Sequence, residues 1–375
     1  MMGTGCDRRA VLAGLGAAAF VTTAGAPVGF ARAAAAGSGD LRVGVVYAGS
    51  RDDGGYNQSH ALAIRSIAAL PGVQVLEREA EGGGFDAVAG RLAAKDECRI
   101  VFVTAPDLSM PALLAGAMET PDTLFVLFGG VSMGDRLPAN VALCSAFIDE
   151  AQHVAGLVAG YVSRSKRLGF VGAGRGPGVL RSLNALALGA RRADPGATLR
   201  VAFLEPGAGE AEAADAGRAL LAAGADTLAG HLPTVRPLCV VAEEAGAFCC
   251  GLHTDLSALA PTGYLTGAEW DWARADMMFV QALRGGNPWP RTLRGGLGAG
   301  LVRCGSFGPA VSAEARAHAE AARFQLANGN AAVFRGPILD NAGRVVVPKG
   351  KVLATDDPAL GALTWLAEGV SELAR

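Results

Sequence analysis

Two short motifs carry the spacing of enzyme chemistry. Gly130-Val131-Ser132-Met133-Gly134 follows the apolar run Thr123 to Phe128 and has the G-x-S-x-G form of a nucleophile elbow. Such an elbow works because a helix begins directly after the serine and holds it on a sharp turn. Here Asp135-Arg136-Leu137-Pro138 follows, so the motif reads as a glycine-rich strand end. Gly172-Ala173-Gly174-Arg175-Gly176-Pro177-Gly178 sits where a dinucleotide fingerprint would, but Pro177 holds the third glycine position of G-x-G-x-x-G. A tight turn with Pro177 opening a helix explains it better. No H-E-x-x-H, P-loop or C-x-x-C occurs, and His60, His153, His231, His253 and His318 are scattered along the chain. Neither a metal site nor a catalytic group is expected.

What remains is binding chemistry. In open α/β sheets ligands meet the carboxyl ends of strands, where loop amides and helix N-termini converge. The loop Asp52-Asp53-Gly54-Gly55-Tyr56-Asn57-Gln58 follows the first strand and puts an acid, an aromatic and an amide at a helix start. Taken singly, Asp53 and Asn57 fit a helix cap as well as a ligand contact. Asp255 follows another strand and fits either a ligand contact or a solvated turn. Trp270 and Trp272 flank Asp271, and a spacing of two cannot put both on one helix face, so one is expected in the core and the other at a cleft.

The elements that must hold these residues alternate regularly. Strands are expected at Arg42–Tyr47, Val73–Leu76, Ile100–Val103, Thr123–Phe128 and Val141–Phe147, with helices at Tyr56–Ala69, Phe85–Ala94 and Ser109–Met118 between them. A long helix, Asp149–Ser163, precedes a second series of the same kind that ends near Leu252. The strand runs are continuously apolar, which means that both sheet faces are covered. Two βαβ series with a helix between them imply α/β architecture with two doubly wound domains. Helices follow at Trp270–Arg284 and Ala313–Asn328, then a hairpin across Ile338–Val347. No linker rich in Pro or Ser divides the halves, so several short crossings and a hinge are expected.

Composition agrees. With 375 residues, two domains are the prior, and 51% apolar against 18% charged residues excludes global disorder. Lys+Arg at 33 against Asp+Glu at 35 leaves −2, which argues against a nucleic-acid partner. Residues 1–36 read as a secretory signal. Arg8-Arg9 precedes the apolar stretch Ala10–Ala26 and small-residue exits at Ala31-Arg32-Ala33 and Ala34-Ala35-Ala36. The paired arginines favour the twin-arginine route, and with no cysteine at the exit a lipoprotein is not expected. The mature chain is expected in the periplasm, cleaved of its signal. Its six cysteines (Cys98, Cys144, Cys239, Cys249, Cys250, Cys304) are expected as buried thiols.

Longer segments add a resemblance. Asp149-Glu150-Ala151-Gln152-His153-Val154-Ala155-Gly156 through Gly160, Arg181 to Ala190, Ala222 to Asp226, and the tail from Phe334 through Gly343-Arg344-Val345 to Val370 stand in the order seen in the basic membrane protein family. The chain resembles that family of ABC-importer substrate-binding components from Leu41 to about Val370. The resemblance implies a type I periplasmic-binding fold with two lobes, 37–148 plus 270–292 and 149–269 plus 293–375. It implies a purine-like small-molecule ligand, an inner-membrane permease as partner, no cofactor, and a monomer that is not an enzyme. The ligand contacts it implies fall on Asp53, Tyr56, Asn57, Asn184 and Asp255. The family's lysine near the sugar is Trp270 here, which is expected as a sixth contact that offers the ligand a ring face, and the family's second stacking aromatic gives way to Glu205-Pro206-Gly207. These departures favour a flat nucleobase over a nucleoside. The alternatives are a nucleoside, another small polar solute, or a hydrolase using Ser132.

Overall fold

The computed structural model describes residues 30–31, 40–80, 82–104, 110–129 and 137–374. The Gly130–Gly134 motif with Ser132, and the signal-like segment apart from residues 30–31, lie outside them. The first series of elements is β1 (Phe30–Ala31), β2 (Leu41–Tyr47), α1 (Tyr56–Ala68), β3 (Val73–Glu79), α2 (Phe85–Ala94), β4 (Ile100–Thr104), α3 (Met110–Glu119), β5 (Leu124–Phe128) and β6 (Val141–Ala146). The second is α4 (Asp149–Val162), β7 (Arg167–Gly172), α5 (Pro177–Ala193), β8 (Thr198–Phe203), α6 (Glu210–Ala222), β9 (Thr227–His231), α7 (Arg236–Glu244), β10 (Phe248–His253) and β11 (Tyr264–Trp270). Then come α8 (Trp272–Gly285), β12 (Trp289–Pro290), β13 (Thr292–Gly295), β14 (Val302–Cys304) and α9 (Ala313–Ala327). The tail adds β15 (Phe334–Arg335), β16 (Ile338–Leu339), β17 (Val345–Val347), β18 (Val352–Leu353) and β19 (Val370–Glu372).

These strands make two large sheets. One is parallel throughout, in the order β13-β6-β5-β4-β2-β3; the other runs β14-β11-β10-β9-β7-β8-β19, with only β14 antiparallel. Side chains of a strand alternate between faces, and the first sheet shows the result. Val43, Val45 and Tyr47 pack with Ile64 of α1 and Phe279 of α8, while Val46, Val101 and Val103 pack with Leu92 of α2 and Leu113 of α3. In the second sheet α4 and α5 cover one face and α6 and α7 the other. The hairpin of β16 and β17 contributes Ile338 and Val347 to the α4/α5 side.

The same alternation resolves the vicinal pair Cys249-Cys250. The two thiols point to opposite faces, Cys249 towards Cys239 of α7 and Cys250 towards the carbonyl of Ala155 in α4. All six described cysteines are unbridged, and only Cys304 is less than fully buried.

Helices α4 and α5 pack unusually close. A Cβ on Gly156 would lie 2.0 Å from the Leu186 carbonyl oxygen, and one on Gly189 would lie 2.0 Å from that of His153. The repeated Ala-Gly spacing in α4 is therefore a packing feature. Gly156→Ala is expected to lower stability by about 1–3 kcal/mol through overpacking, read as a fall in Tm by calorimetry. An unchanged Tm would refute that role.

Three segments cross between the sheets: Phe147–Ile148 from β6 to α4, Asp271 from β11 to α8, and residues 296–301 from β13 to β14. They are laced together. Phe147 N–H donates to Gly295 O (2.9 Å), Asp271 N–H donates to Leu301 O (2.9 Å), and the Glu150 carboxylate accepts from Leu297 N–H and the Thr355 hydroxyl, both at 2.8 Å. Among the described residues no helix is long and apolar enough to cross a membrane.

Candidate functional site

The carboxyl ends of both sheets meet at the loop between β2 and α1. Asp53 organises this loop. Its Oδ1 accepts from the backbone N–H groups of Gly55 (2.7 Å) and Gln58 (3.0 Å), and its Oδ2 from the N–H (3.1 Å) and Nδ2 (2.9 Å) of Asn57. Four accepted bonds fill a carboxylate. The Oδ1 of Asn57 accepts from Ala48 N–H at 3.1 Å. Both residues are thus engaged in shaping the turn into α1: Asp53 satisfies the first free amides of the helix, and Asn57 ties Asp53 to the end of β2.

The loop also joins the two bodies. Tyr56 N–H donates to Pro233 O (2.9 Å), and the Thr234 hydroxyl donates to Gly54 O (3.1 Å). Gly54, at φ +66°, has the Arg236 side chain against it, and a Cβ on Gly55 would stand 2.0 Å from Pro233 O. Only glycine permits this approach. The two glycines thus serve contact between the bodies.

Behind the loop lies a column of four rings. His253 at the end of β10 stacks on Trp270 at the end of β11 (6.1 Å, 22°), Trp270 on Trp272 (4.9 Å, 20°), and Trp272 on His60 of α1 (4.7 Å, 7°). Tyr56 stands edge-on to both His60 (4.9 Å) and His253 (5.8 Å), and Phe128 edge-on to His60 and Trp272. His231, ending β9, meets His253 edge-on at 6.3 Å. Hydrogen bonds fix the ring positions. Trp270 Nε1–H donates to His253 Nδ1 (2.7 Å); an indole can only donate, so the proton of His253 sits on Nε2 and is given to Leu232 O (2.8 Å). Trp272 Nε1–H donates to the Ser59 hydroxyl (3.1 Å), which donates to Tyr56 O (2.6 Å).

The rings are uncharged at neutral pH. Burial pushes His253 down to about 4 and His231 down to about 3; burial and the nearby His253 hold His60 well below the usual imidazole range.

Of the six residues expected at the site, the structure gathers Asp53, Tyr56 and Asn57 in one loop and brings Trp270 close to Tyr56 through His253. Trp270 ends a strand and does not begin a helix; the chain turns at Asp271, which lets the two tryptophans stack although two residues apart. Trp272 is the buried one, at 3% exposure. Asp255 lies two residues past His253 and caps a short turn, accepting from Ser257 N–H at 2.8 Å. Asn184 is elsewhere. Its fully buried amide donates to Trp365 O and accepts from Ala367 N–H, both at 2.9 Å, which pins the tail to α5. The histidines read as scattered in sequence supply three of the rings. One signal for them was present: His60 stands one helical turn from Tyr56, and His231 and His253 each end an apolar strand run.

Residues 41–316 match the family described as ABC transporter substrate-binding protein PnrA-like. The chain belongs to that family. Two curated relatives are similar. A purine-binding protein of Brucella abortus is 25% identical over 336 residues, 88% of this chain and 93% of that protein. A protein of Haloferax volcanii named for ABC-transporter glucose binding is 29% identical over 244 residues, 65% of this chain and 61% of that one. Among solved structures, an ABC transporter solute-binding protein of Conexibacter woesei superposes with a TM-score of 0.67 at 23% identity, covering 78% of this chain and 97% of that one. The fold is that of type I periplasmic-binding proteins, as expected from the sequence. A PnrA-like substrate-binding protein binds a small solute and works with a membrane permease, in the periplasm or outside the cell.

Proposed function

We propose that this PnrA-like protein binds a purine-type nucleobase, or a related flat heterocycle, where the two sheet-centred bodies meet. The observation that carries this reading is the aromatic cluster, which draws Tyr56, His60 and Trp272 from one side and His253 and Trp270 from the other. Flat rings reward a flat solute, each aromatic contact adding about 0.5–1.5 kcal/mol beyond area burial. The named ligand of the Brucella abortus relative supports the same class. Tyr56 and Trp270 are the expected ring contacts. Asp53 and Asn57 act by holding Tyr56, Asp255 stands at the rim, and Asn184 is not carried forward, because its amide is engaged by the tail. The bodies act as lobes of a clamp on a monomer. Export follows the twin-arginine signal of residues 1–36, which is then removed, with no lipid anchor.

A thermal-shift screen of purine and pyrimidine bases, nucleosides, nucleotides and sugars tests the reading. At 100-fold excess over Kd a bound solute adds about 2.7 kcal/mol, a shift of several degrees. Purine bases are expected to give it. A shift with sugars alone, the solute class named for the Haloferax volcanii relative, would overturn the proposal.

A further inference from the structure

His60 is 1% exposed, and its Nε2 has no hydrogen-bond partner. The ring lies within the column, stacked on Trp272 and flanked by Tyr56 and Phe128. On the other body, His231 Nδ1 is likewise out of reach of water and unpaired, its ring set against His253. His253 lies between them in the cluster, but both of its nitrogens are engaged, by Trp270 and by Leu232. A buried polar atom left unpaired costs about 1–3 kcal/mol, so native structures rarely keep one without a use for it. Here two stand in one aromatic cluster, one on each body.

We propose that His60 and His231 are the solute's hydrogen-bonding partners, reading polar groups on two edges of an uncharged planar heterocycle. The assignment rests on the heterocycle reading above and adds to it the residues that set selectivity. Each imidazole nitrogen can accept from a ring N–H or, in the other tautomer, donate to a ring nitrogen or carbonyl. The aromatic faces hold any flat molecule, whereas the two nitrogens reject one whose edges cannot pair, because the mismatch leaves them buried and unpaired. One reader from each body also makes the solute a bridge: both bonds form only when the bodies are together, so the correct solute favours that arrangement over the parted one. Residues that hold the rings in place, such as His253 and Ser59, are positioning residues in this scheme.

Calorimetric titration with adenine, guanine and hypoxanthine tests the assignment in His60→Phe, His231→Phe, His60→Gln and His231→Asn. Phenylalanine keeps a ring and removes both nitrogens; the amides return a polar atom near Nε2 and Nδ1 respectively. Each Phe variant is expected to weaken the best-bound base by about tenfold to a hundredfold, and each amide variant to recover most of that loss. Melting without solute reports folding; if His60→Phe fails to fold, the half-buried His231 carries the test. Wild-type affinity in the Phe variants would overturn this assignment and leave the heterocycle reading standing. Failure of the wild type to bind any of the three bases would overturn both.

Discussion

Gly55→Ala is expected to weaken solute binding roughly ten- to a hundredfold while leaving the Tm of the unliganded protein nearly unchanged. The added methyl would stand 2.0 Å from Pro233 O and 2.8 Å from Thr234 Cα, backbone atoms with no rotamer by which to retreat. The bodies must part to admit it, and parting breaks the Tyr56–Pro233 and Thr234–Gly54 hydrogen bonds and draws Tyr56 from His253. Overpacking of this kind costs about 1–3 kcal/mol, which is set against binding if the solute needs both bodies. Neither body need deform internally, so stability without solute is spared. Titration calorimetry gives the affinity, and small-angle scattering should show the variant more open than the wild type in saturating solute. Equal affinity and equal scattering in the two proteins would mean that contact at Gly55 plays no part in binding.

The buried histidines are expected to weaken the folded protein as pH falls from about 6.5 to 4. Burial pushes His153 and His253 down to about 4 and His231 to about 3. An unfolded chain takes up these protons near pH 6.5. Between that value and the folded one only the unfolded state is protonated, so the stability from each group is present at neutral pH and lost as pH falls. For His153, at 5% exposure, the loss is about 3 kcal/mol from pH 7 to pH 4. Buried carboxyls act in the opposite sense. Burial raises Asp149, Glu150, Glu269 and Asp276, so each binds its proton more readily when folded and favours folding as pH falls towards 4. A comparison of the wild type with His153→Gln separates the terms. Urea unfolding at pH 7, 5.5 and 4.5 should give a shallower fall for the variant, while parallel curves would show that His153 titrates alike folded and unfolded.

Most of the fold was legible because buried parallel strands are written as unbroken apolar runs. Ile100–Thr104 and Leu124–Phe128 are buried at every position. The expectation for β3 stopped at Leu76, yet the strand pairs with β2 as far as Glu79. β3 is a sheet edge, and Glu77 is held there by Tyr47 (2.7 Å) and Arg51 (3.2 Å), pairings that a hydrophobic pattern does not reveal. The site was half legible. Tyr56 and Trp270 stood out as aromatics that follow apolar strands, each read at a helix start. His60, His231 and His253 did not, because only the registers of two sheets and the approach of one body to the other bring them together.

The way the chain divides itself between the sheets bears on its synthesis. The first sheet lacks its outer strand until Gly295 has been made, and the second lacks β19 until Glu372 has been made. Asn184 would meanwhile hold a buried amide without its two backbone partners. The first body can therefore complete its sheet while the second is still being translated, and the second must wait for the tail. In nascent chains of this protein the second body should stay protease-sensitive until the final segment emerges.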